Sequence, residues 1–372
     1  MRIVDQFLGP CVVLLLRMCS IFRVRGNRKY AVDRVCLMKT SAIGDTVLVL
    51  SAVEALRKKY PNIRVDLVCG ASNYEFARLS GAFDNLIRIS ATNPLSSILK
   101  LRKLRYDIVV DFASWARLDA IYSFFITADI RLGFWSRCQF RHYAYDKCAR
   151  HSDLLHEIDN YAALCKIVGI DELLPPVLTW GGGGESIGFP SRYVVFHLWS
   201  GGSRSKQKSW PLENWIDLIR STYSEFGIDV VLTGGPADKF RTYQLVAEIG
   251  NDIGSHVFNA AGISLSETLD VLSRAQCVVS VDTGVMHIAA ALGVKVLSLH
   301  GPTHSDRWGG VSNRVVALNV FESIQQAPIS LGYERCDDNI MSLLSTVSVK
   351  EKLFEMLKSE SSHIEQYQVS QS

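Results

Sequence analysis

The stretch 277–293, CVVSVDTGVMHIAAALG, predicts a complete strand–turn–helix unit. Its apolar run at 277–281 is typical of a buried strand, and the alanine-rich segment 285–292 favours a helix that Gly293 ends. Between them, the turn at 282–284 leaves free backbone N–H groups where the helix begins, and these favour an anion. The alternative is an ordinary strand–helix unit in which an Asp-Thr pair caps the helix.

Similar units recur along the chain, with short apolar runs separated by helical patterns. This alternation predicts an α/β fold with parallel, doubly wound sheets in two similar halves. The predicted strands are 34–39, 63–69, 86–89, 106–112 and 130–134 in the first half, and 193–198, 228–232, 257–260, 277–281 and 295–299 in the second.

Composition excludes several classes of protein. The chain has 372 residues, is 48% hydrophobic and carries a net charge of only +3, which argues for two domains and against a dedicated nucleic-acid binder. Its nine cysteines contain no C-x-x-C pair, which fits reduced thiols in the cytoplasm better than a disulfide framework. The spacing of histidines and cysteines predicts no metal site.

The N-terminal segment concentrates positive charge. Residues 1–34 hold seven basic and two acidic residues, a net charge of +5, and apolar residues recur there at helical spacing. The unbroken apolar run at 11–16 is far shorter than the ~20 residues that span a bilayer. We interpret 1–30 as an amphipathic helix lying on an anionic leaflet. A helix packed on the protein and a cleaved signal peptide are the alternatives.

A second basic segment, 136–151, shows no clear period and is interpreted as a loop on the ligand side that receives an anionic acceptor. A solvated basic loop is an equally good alternative. The basic residues are Arg137, Arg141, His142, Lys147, Arg150 and His151, with Phe140, Tyr143 and Tyr145 among them.

Proline and glycine mark the boundary between the halves, and the polar end of the chain predicts a disordered tail. The predicted organisation is a membrane-associating segment at 1–30, a Rossmann-like domain at 31–178, a linker at 179–191, a second Rossmann-like domain at 192–345, a helix at 346–358 and a disordered tail at 359–372.

Ligands of parallel sheets bind at the carboxyl ends of the strands. Polar or glycine-rich loops follow the predicted strands at 40–46, 199–209, 233–238, 282–287 and 300–308, and none contains a dinucleotide or P-loop fingerprint. An NAD-dependent enzyme and a P-loop NTPase are therefore disfavoured. Lys206 and Lys208 lie in a loop whose backbone N–H groups suit phosphates.

Five motifs lie in these loops, in this order: SAIGD at 41–45, KSWP at 208–211, LTGGPAD at 232–238, DTG-x-x-H followed by AAA at 282–291, and GPT with RWG at 301–309. Together they resemble the glycosyltransferase family 9 heptosyltransferases, which act on lipopolysaccharide or related glycans. The resemblance covers roughly 34–320.

The resemblance implies a GT-B fold, in which two Rossmann-like domains face a cleft. The acceptor would bind the first domain and the nucleotide sugar the second. It implies an inverting transfer without metal or other cofactor, usually from ADP-heptose. The acceptor would be lipopolysaccharide or a lipid-linked glycan at the cytoplasmic face of the inner membrane, and no nucleic acid would bind.

The resemblance also implies roles for individual residues. Asp45 falls on the general base and Lys208 on the phosphate-binding lysine. Asp238 falls on an acidic residue that contacts the ribose. The expected substrate-binding residues are Ser41, Gly44, Ser203, Gly234, Gly235, Asp238, and the diphosphate-binding turn of Asp282, Thr283, Gly284 and His287.

The residue types suit these roles, because an inverting transfer needs a carboxylate that takes the proton of the attacking hydroxyl. Each role has a structural alternative: Asp45 as a plain N-cap, Lys208 as a solvated loop lysine, and His287 as a core histidine. Lys39 departs from the family pattern, since arginine is common at its position.

The sequence leaves three other functions open. One is a GT-B transferase that uses a UDP- or GDP-sugar. Another is a non-catalytic GT-B protein that binds glycans or nucleotides, although a binding protein has no need of a base such as Asp45. A Rossmann oxidoreductase is a distant alternative, because its fingerprint is absent.

Overall fold

The structure is a computed structural model that describes residues 2–19, 32–182, 188–202, 204–250, 252–322, 329–330, 333–334 and 336–369. The chain divides into two compact units, Met1–Pro176 (unit 1) and Val177–Ser372 (unit 2). Each unit is built around one six-stranded parallel sheet. The described cysteines are free thiols.

Unit 1 begins with a helix that precedes the first strand, and strands and helices then alternate. Its elements are α1 (Arg2–Cys19), β1 (Arg34–Met38), α2 (Ile43–Lys59), β2 (Arg64–Cys69), α3 (Tyr74–Leu79), β3 (Asn85–Arg88), α4 (Pro94–Leu101), β4 (Arg105–Asp111), α5 (Arg117–Phe125), β5 (Thr127–Trp135), β6 (Lys147–Arg150) and α6 (Glu157–Lys166).

The sheet of unit 1 has the order β3-β2-β1-β4-β5-β6, with all neighbours parallel. The order reverses between β1 and β4, which is the switch point of a doubly wound sheet. Residues 35–38 of β1 are all buried, as expected for a central strand whose two faces are covered by helices.

Unit 2 repeats this alternation and ends with a long helix. Its elements are β7 (Tyr193–His197), α7 (Leu212–Phe226), β8 (Asp229–Gly234), α8 (Lys239–Ile249), β9 (Val257–Ala261), α9 (Leu265–Ser273), β10 (Val278–Val281), α10 (Gly284–Ala291), β11 (Val296–His300), α11 (Ser305–Trp308), β12 (Val315–Asn319), the two-residue strands β13 (Ile329–Ser330) and β14 (Tyr333–Glu334), and α12 (Thr346–Val369).

The sheet of unit 2 has the order β12-β11-β10-β7-β8-β9, again all parallel, with the switch point between β7 and β10. Local signals set the helix ends. Ser264 and Glu267 form a capping box at the start of α9, and Gly293 ends α10 with a φ of 75°. The predicted fold class, two doubly wound parallel sheets, is confirmed.

Two segments differ from their predictions. The prediction of a loop throughout 136–151 was wrong, because it contains a 3₁₀ turn (Arg141–Ala144) and β6, which adds an edge strand to the sheet. Helix α12 continues to Val369, beyond the predicted end at 358, and no proline or glycine interrupts this sequence. At the boundary between the units, Leu178 donates its N–H to the carbonyl oxygen of Ala291. Both residues belong to unit 2.

Helix α1 packs against α5 and the 3₁₀ turn at Arg141–Ala144. Within the described ranges, no helix has both the length and the apolar character needed to cross a membrane. The remainder of the predicted membrane-associating segment, 20–30, lies outside the described residues.

Candidate functional site

In unit 1, Asp45 lies in the first turn of α2, directly after the loop that leaves β1 at the switch point. Its Oδ2 is 3.0 Å from Nζ of Lys39, which is buried. The N-cap position of α2 belongs to Ala42, whose φ is 69°, so Asp45 is not the N-cap. The carboxylate is partly exposed, with 21% of its side chain accessible, and it can therefore meet a ligand.

Lys39 is held from several sides. Its ammonium lies 3.4 Å from the carbonyl oxygen of Phe112, which follows β4, and 5.6 Å from the centre of the Tyr161 ring. Phe112, after β4, and Tyr161, in α6, thus orient this cation toward Asp45. The sequence pattern singles out Lys39 but gives no sign of its pairing with Asp45.

A buried cluster of charge lies at the end of the neighbouring strand β4. The guanidinium of Arg141 donates to Oδ2 of Asp111 over 2.8 Å, and the hydroxyl of Tyr145 donates to the same oxygen over 2.6 Å. Arg141 and Asp111 are fully buried. The prediction that Arg141 belongs to a ligand-facing or solvated loop was therefore wrong, because this arginine balances an internal carboxylate.

Two further buried carboxylates lie in this region. Asp119 accepts a hydrogen bond from Thr40 Oγ1 over 2.7 Å, and burial, reinforced by Asp111, raises the pKa of Asp119 to about 6. Glu157 accepts from Ser114 Oγ over 2.6 Å. Its pKa falls to about 2: burial would raise it, but hydrogen bonding to His151 and the charge of that ring outweigh burial.

The remaining predicted residues of unit 1 lie beside Asp45. Ser41 is exposed in the loop, and Gly44 is buried in the first turn of α2. Gly70, at the end of β2, makes room for this loop, since a Cβ atom there would lie 2.1 Å from the carbonyl oxygen of Thr40. The position of the loop therefore depends on glycine at 70.

In unit 2, Lys208 and Asp282 meet at the switch point. Nζ of Lys208 lies 2.7 Å from Oδ2 of Asp282, and both side chains are largely buried. Burial alone would raise the pKa of Asp282, but Lys208, followed by His300 and His287, lowers it to about 2. Asp282 is therefore ionised at neutral pH, and Lys208 is not a solvated loop lysine.

The turn after β10 leads directly into α10, with Thr283 at the N-cap position and Gly284 as the first helical residue. His287 is buried in the same helix, close enough to Asp282 to influence its pKa. The start of α10 thus combines a cation, a hydroxyl, an imidazole and the positive end of a helix dipole, an arrangement that suits a diphosphate.

The turn after β8 is held by its own carboxylate. Asp238 Oδ2 accepts the N–H of Gly235 over 2.8 Å, and Asp238 also pairs with Arg241. Asp238 therefore shapes this turn. The turn also requires glycine at 234, since a Cβ atom there would lie 2.8 Å from Trp199 Cδ1.

The guanidinium of Arg241 stacks on Trp199, with its Cζ atom 3.8 Å from the ring centre. Trp199 follows β7, so residues after two adjacent strands build this part of the site together.

The structure thus collects Ser41, Gly44 and Asp45 at the switch point of unit 1. The predicted residues described in unit 2 lie at the carboxyl ends of β7, β8 and β10. Ser203 lies outside the described residues.

Sequence reasoning missed several functional candidates, among them Lys39, Glu157 and His300. The signal for His300 was its position as the last residue of β11, next to the strand that carries Asp282. Among the described residues, no group of three or more His, Cys, Asp or Glu side chains is arranged to hold a metal ion.

Comparison with known proteins gives a family match and a relative that aligns over most of its length. Residues 96–329 match the model of glycosyltransferase family 9 (heptosyltransferase). The lipopolysaccharide core heptosyltransferase OpsX of Haemophilus influenzae is 23% identical over 310 residues, which cover 78% of this chain and 86% of OpsX.

Two solved structures share the fold. Escherichia coli ADP-heptose lipopolysaccharide heptosyltransferase II aligns with a TM-score of 0.68 at 21% identity, covering 88% of this chain and 99% of its own. E. coli heptosyltransferase WaaC with ADP also gives 0.68, at 22% identity, covering 87% and 99%. The two sheets therefore have the architecture of GT-B heptosyltransferases.

Proposed function

Because the chain belongs to glycosyltransferase family 9, and is accordingly a glycosyltransferase, we propose that it is a lipopolysaccharide heptosyltransferase. It transfers a heptose from ADP-heptose to a lipopolysaccharide core acceptor with inversion at the anomeric carbon. The printed names of the relatives support this choice, since one acts on the lipopolysaccharide core and others are named with ADP-heptose or ADP.

The observation that carries the proposal is the Lys208–Asp282 pair at the start of α10. Asp282 fixes the ammonium of Lys208 at a distance of 2.7 Å, beside the helix end where backbone N–H groups favour negative charge. A diphosphate placed there meets both sources of positive potential. This arrangement suits a donor whose leaving group is a nucleoside diphosphate.

The transfer itself needs a base, and we assign that role to Asp45. The oxygen of an acceptor hydroxyl attacks the anomeric carbon from the face opposite the diphosphate. The new C–O bond forms as the C–O bond to the diphosphate breaks, ADP leaves with the electron pair, and the hydroxyl proton passes to the carboxylate of Asp45. One displacement inverts the configuration.

Negative charge builds on the departing ADP during this step. Lys208, Thr283 and the backbone N–H groups of the first turn of α10 are positioned to stabilise it, and such preorganised donors are each worth ~10²–10³-fold in kcat. We propose that these groups suffice without a metal ion. Unchanged activity in the presence of EDTA is the expected result, and activity that returns only with added divalent metal contradicts this part.

The lipopolysaccharide acceptor also determines the cellular location of the reaction. We propose that it acts in the cytoplasm, at the cytoplasmic face of the inner membrane, where an ADP-sugar and a growing lipid-linked glycan meet. Nucleic acid has no part in this function.

Ligand-dependent thermal unfolding tests the donor assignment. ADP, UDP, GDP and NAD⁺ are compared on the wild type, Lys208→Met and the control Lys206→Met, whose exposed lysine lies in the same 3₁₀ turn. We expect stabilisation by ADP, ~2.7 kcal/mol at 100 times its dissociation constant, that Lys208→Met alone loses. A preference for UDP or GDP contradicts the heptose donor, and no response to any diphosphate contradicts a transferase role.

A further inference from the structure

Helix α1 carries apolar residues on two opposite faces. Gly9 and Val13 are buried and lie one turn apart on the same side. Cys11, Leu14, Leu15 and Met18 follow the i, i+3, i+4, i+7 spacing of a single stripe on the other side, and all four are exposed. Half or more of the surface of Leu14, Leu15 and Met18 is accessible.

The inner face accounts for how α1 is attached to unit 1. Val13 is fully buried among Ala120, Phe124 and Ala144. Gly9 lies against Arg117, because a Cβ atom at residue 9 would be 2.7 Å from Cδ of that side chain. The helix is therefore seated on α5 and the 3₁₀ turn by one face. Packing on the protein requires only one apolar face of a helix. The outer stripe therefore has no role in attaching α1 to unit 1.

Positive charge accompanies the outer stripe. Arg17 is exposed on the last turn of α1, and the net charge of residues 1–34 is +5. Exposed aromatic and basic groups flank the 3₁₀ turn in the sequence: Phe140 is 44% and Trp135 is 39% exposed, and Arg150 lies 5.7 Å above the ring of Trp135. Aromatic rings beside arginines are typical of surfaces at the level of lipid headgroups.

We propose that the outer stripe of α1 inserts into the interface of an anionic bilayer and docks unit 1 on it. An exposed apolar stripe on a helix whose last turn carries Arg17 matches a helix that lies in the plane of the membrane. An anionic lipid surface complements the charge of this region, whereas a second copy of the chain would bring an equal positive charge against it. This inference rests on one part of the proposed function, namely that the acceptor is a membrane lipid.

The seated helix gives this docking a consequence that a free amphipathic tail would lack. Because Val13 and Gly9 fix α1 to α5, the membrane contact sets the orientation of unit 1 as a whole. That unit carries Asp45, so docking by α1 constrains how a lipid-borne hydroxyl approaches the carboxylate.

Vesicle flotation of the full-length protein tests the docking surface. The wild type is compared with Leu14→Gln/Leu15→Gln/Met18→Gln on phosphatidylethanolamine–phosphatidylglycerol vesicles (7:3) and on pure phosphatidylcholine vesicles. A matched control, Phe240→Gln/Tyr243→Gln, removes exposed aromatic residues of unit 2 instead. Thermal unfolding is measured for every variant, and ADP binding is measured separately.

We expect the wild type and the control to float with the anionic vesicles. The stripe variant should lose at least ~10-fold in vesicle affinity while it unfolds at an unchanged temperature and still binds ADP. Equal flotation of the stripe variant and the wild type overturns the proposal. So does a wild-type dimer, detected by sedimentation, that the stripe substitutions dissociate. If the wild type does not bind ADP, the proposed function is contradicted. The flotation result still decides the docking.

Discussion

The ammonium of Lys39 lies 3.0 Å from the carboxylate of Asp45, across the loop that joins β1 to α2. Lys39 is buried, whereas Asp45 retains access to the surface. The lysine is in turn held by the carbonyl of Phe112 and the ring of Tyr161. The ion pair keeps the carboxylate in one orientation, which a general base needs in order to meet the proton of the attacking hydroxyl.

Lys39→Met is predicted to misorient Asp45 without removing it. We expect kcat to fall by at least ~10-fold, but by less than the ~10²–10⁴-fold that a general base contributes. The KM for the donor should change little. Steady-state kinetics measures both constants.

Lys39→Arg is the matched control, since it keeps the positive charge. It should retain most of the activity of the wild type. If Lys39→Met showed the wild-type kcat, Lys39 would have no part in positioning Asp45.

Lys208→Met is predicted to destabilise unit 2 as well as weaken donor binding. It leaves Asp282 buried and ionised without its main partner, a change that typically costs ~3–5 kcal/mol. Asp282→Asn should cost less, because the long lysine side chain can turn toward solvent. Urea unfolding of both single variants and the double variant measures the coupling. A double variant as unstable as the sum of the two would contradict a direct interaction.

Gly70→Ala should disturb the loop before Asp45 from the neighbouring strand. The added Cβ atom would lie 2.1 Å from the backbone oxygen of Thr40, so the loop must shift. We expect a loss of ~1–3 kcal/mol in stability together with a fall in kcat. Gly254→Ala is the control, because nothing lies within 4 Å of its added Cβ atom. Equal effects at the two positions would show that the approach of Thr40 to Gly70 is unimportant.

His197 is predicted to make unit 2 sensitive to acid. The residue ends β7, its Nδ1 lies 2.9 Å from Thr233 Oγ1, and burial lowers its pKa to about 4. The unfolded chain takes up a proton near pH 6.5, but the folded protein resists it until about pH 4. The unfolded state thus binds more protons in this window, and the contribution of His197 to stability falls as the pH drops from 6.5 to 4.

The size of that loss is about 3 kcal/mol at most. His197→Asn removes the titrating group, so its free energy of unfolding should depend less on pH between 4 and 6.5, even if the variant is less stable at pH 8. Urea unfolding at several pH values measures the difference. Parallel pH profiles of the two proteins would contradict the assignment.

Much of the fold could be predicted, because it depends on local signals. Buried parallel strands such as 278–281 are short apolar runs that contrast with their neighbours, and Gly293 ends α10 as expected. Strand β6 was missed because KCAR is short, polar at both ends and at the edge of the sheet. Its pairing with β5 depends on tertiary contacts that no local period reveals.

The candidate site was predictable in its loops but not in its pairings. Asp45, Lys208 and Asp282 were found by motif, whereas the Lys39–Asp45 and Lys208–Asp282 pairings depend on distances across the fold. The Asp111–Arg141 pair joins residues thirty positions apart, and a basic segment gives no sign that one of its arginines is fully buried. Sequence shows which residues carry charge, but burial decides which charges face a ligand.

The proposed role of Asp45, as the base of an ADP-heptose-dependent transfer, is tested most directly by the turnover of Asp45→Asn. The substrates are ADP-heptose and a heptose-deficient lipopolysaccharide core acceptor, and ADP binding is measured on the same protein. Glu213→Gln, which changes an exposed first-turn carboxylate of α7, is the control.

We predict that Asp45→Asn loses ~10²–10⁴-fold in kcat while its affinity for ADP and its unfolding temperature stay at wild-type values. Glu213→Gln should retain full activity. Wild-type turnover by Asp45→Asn would contradict the account.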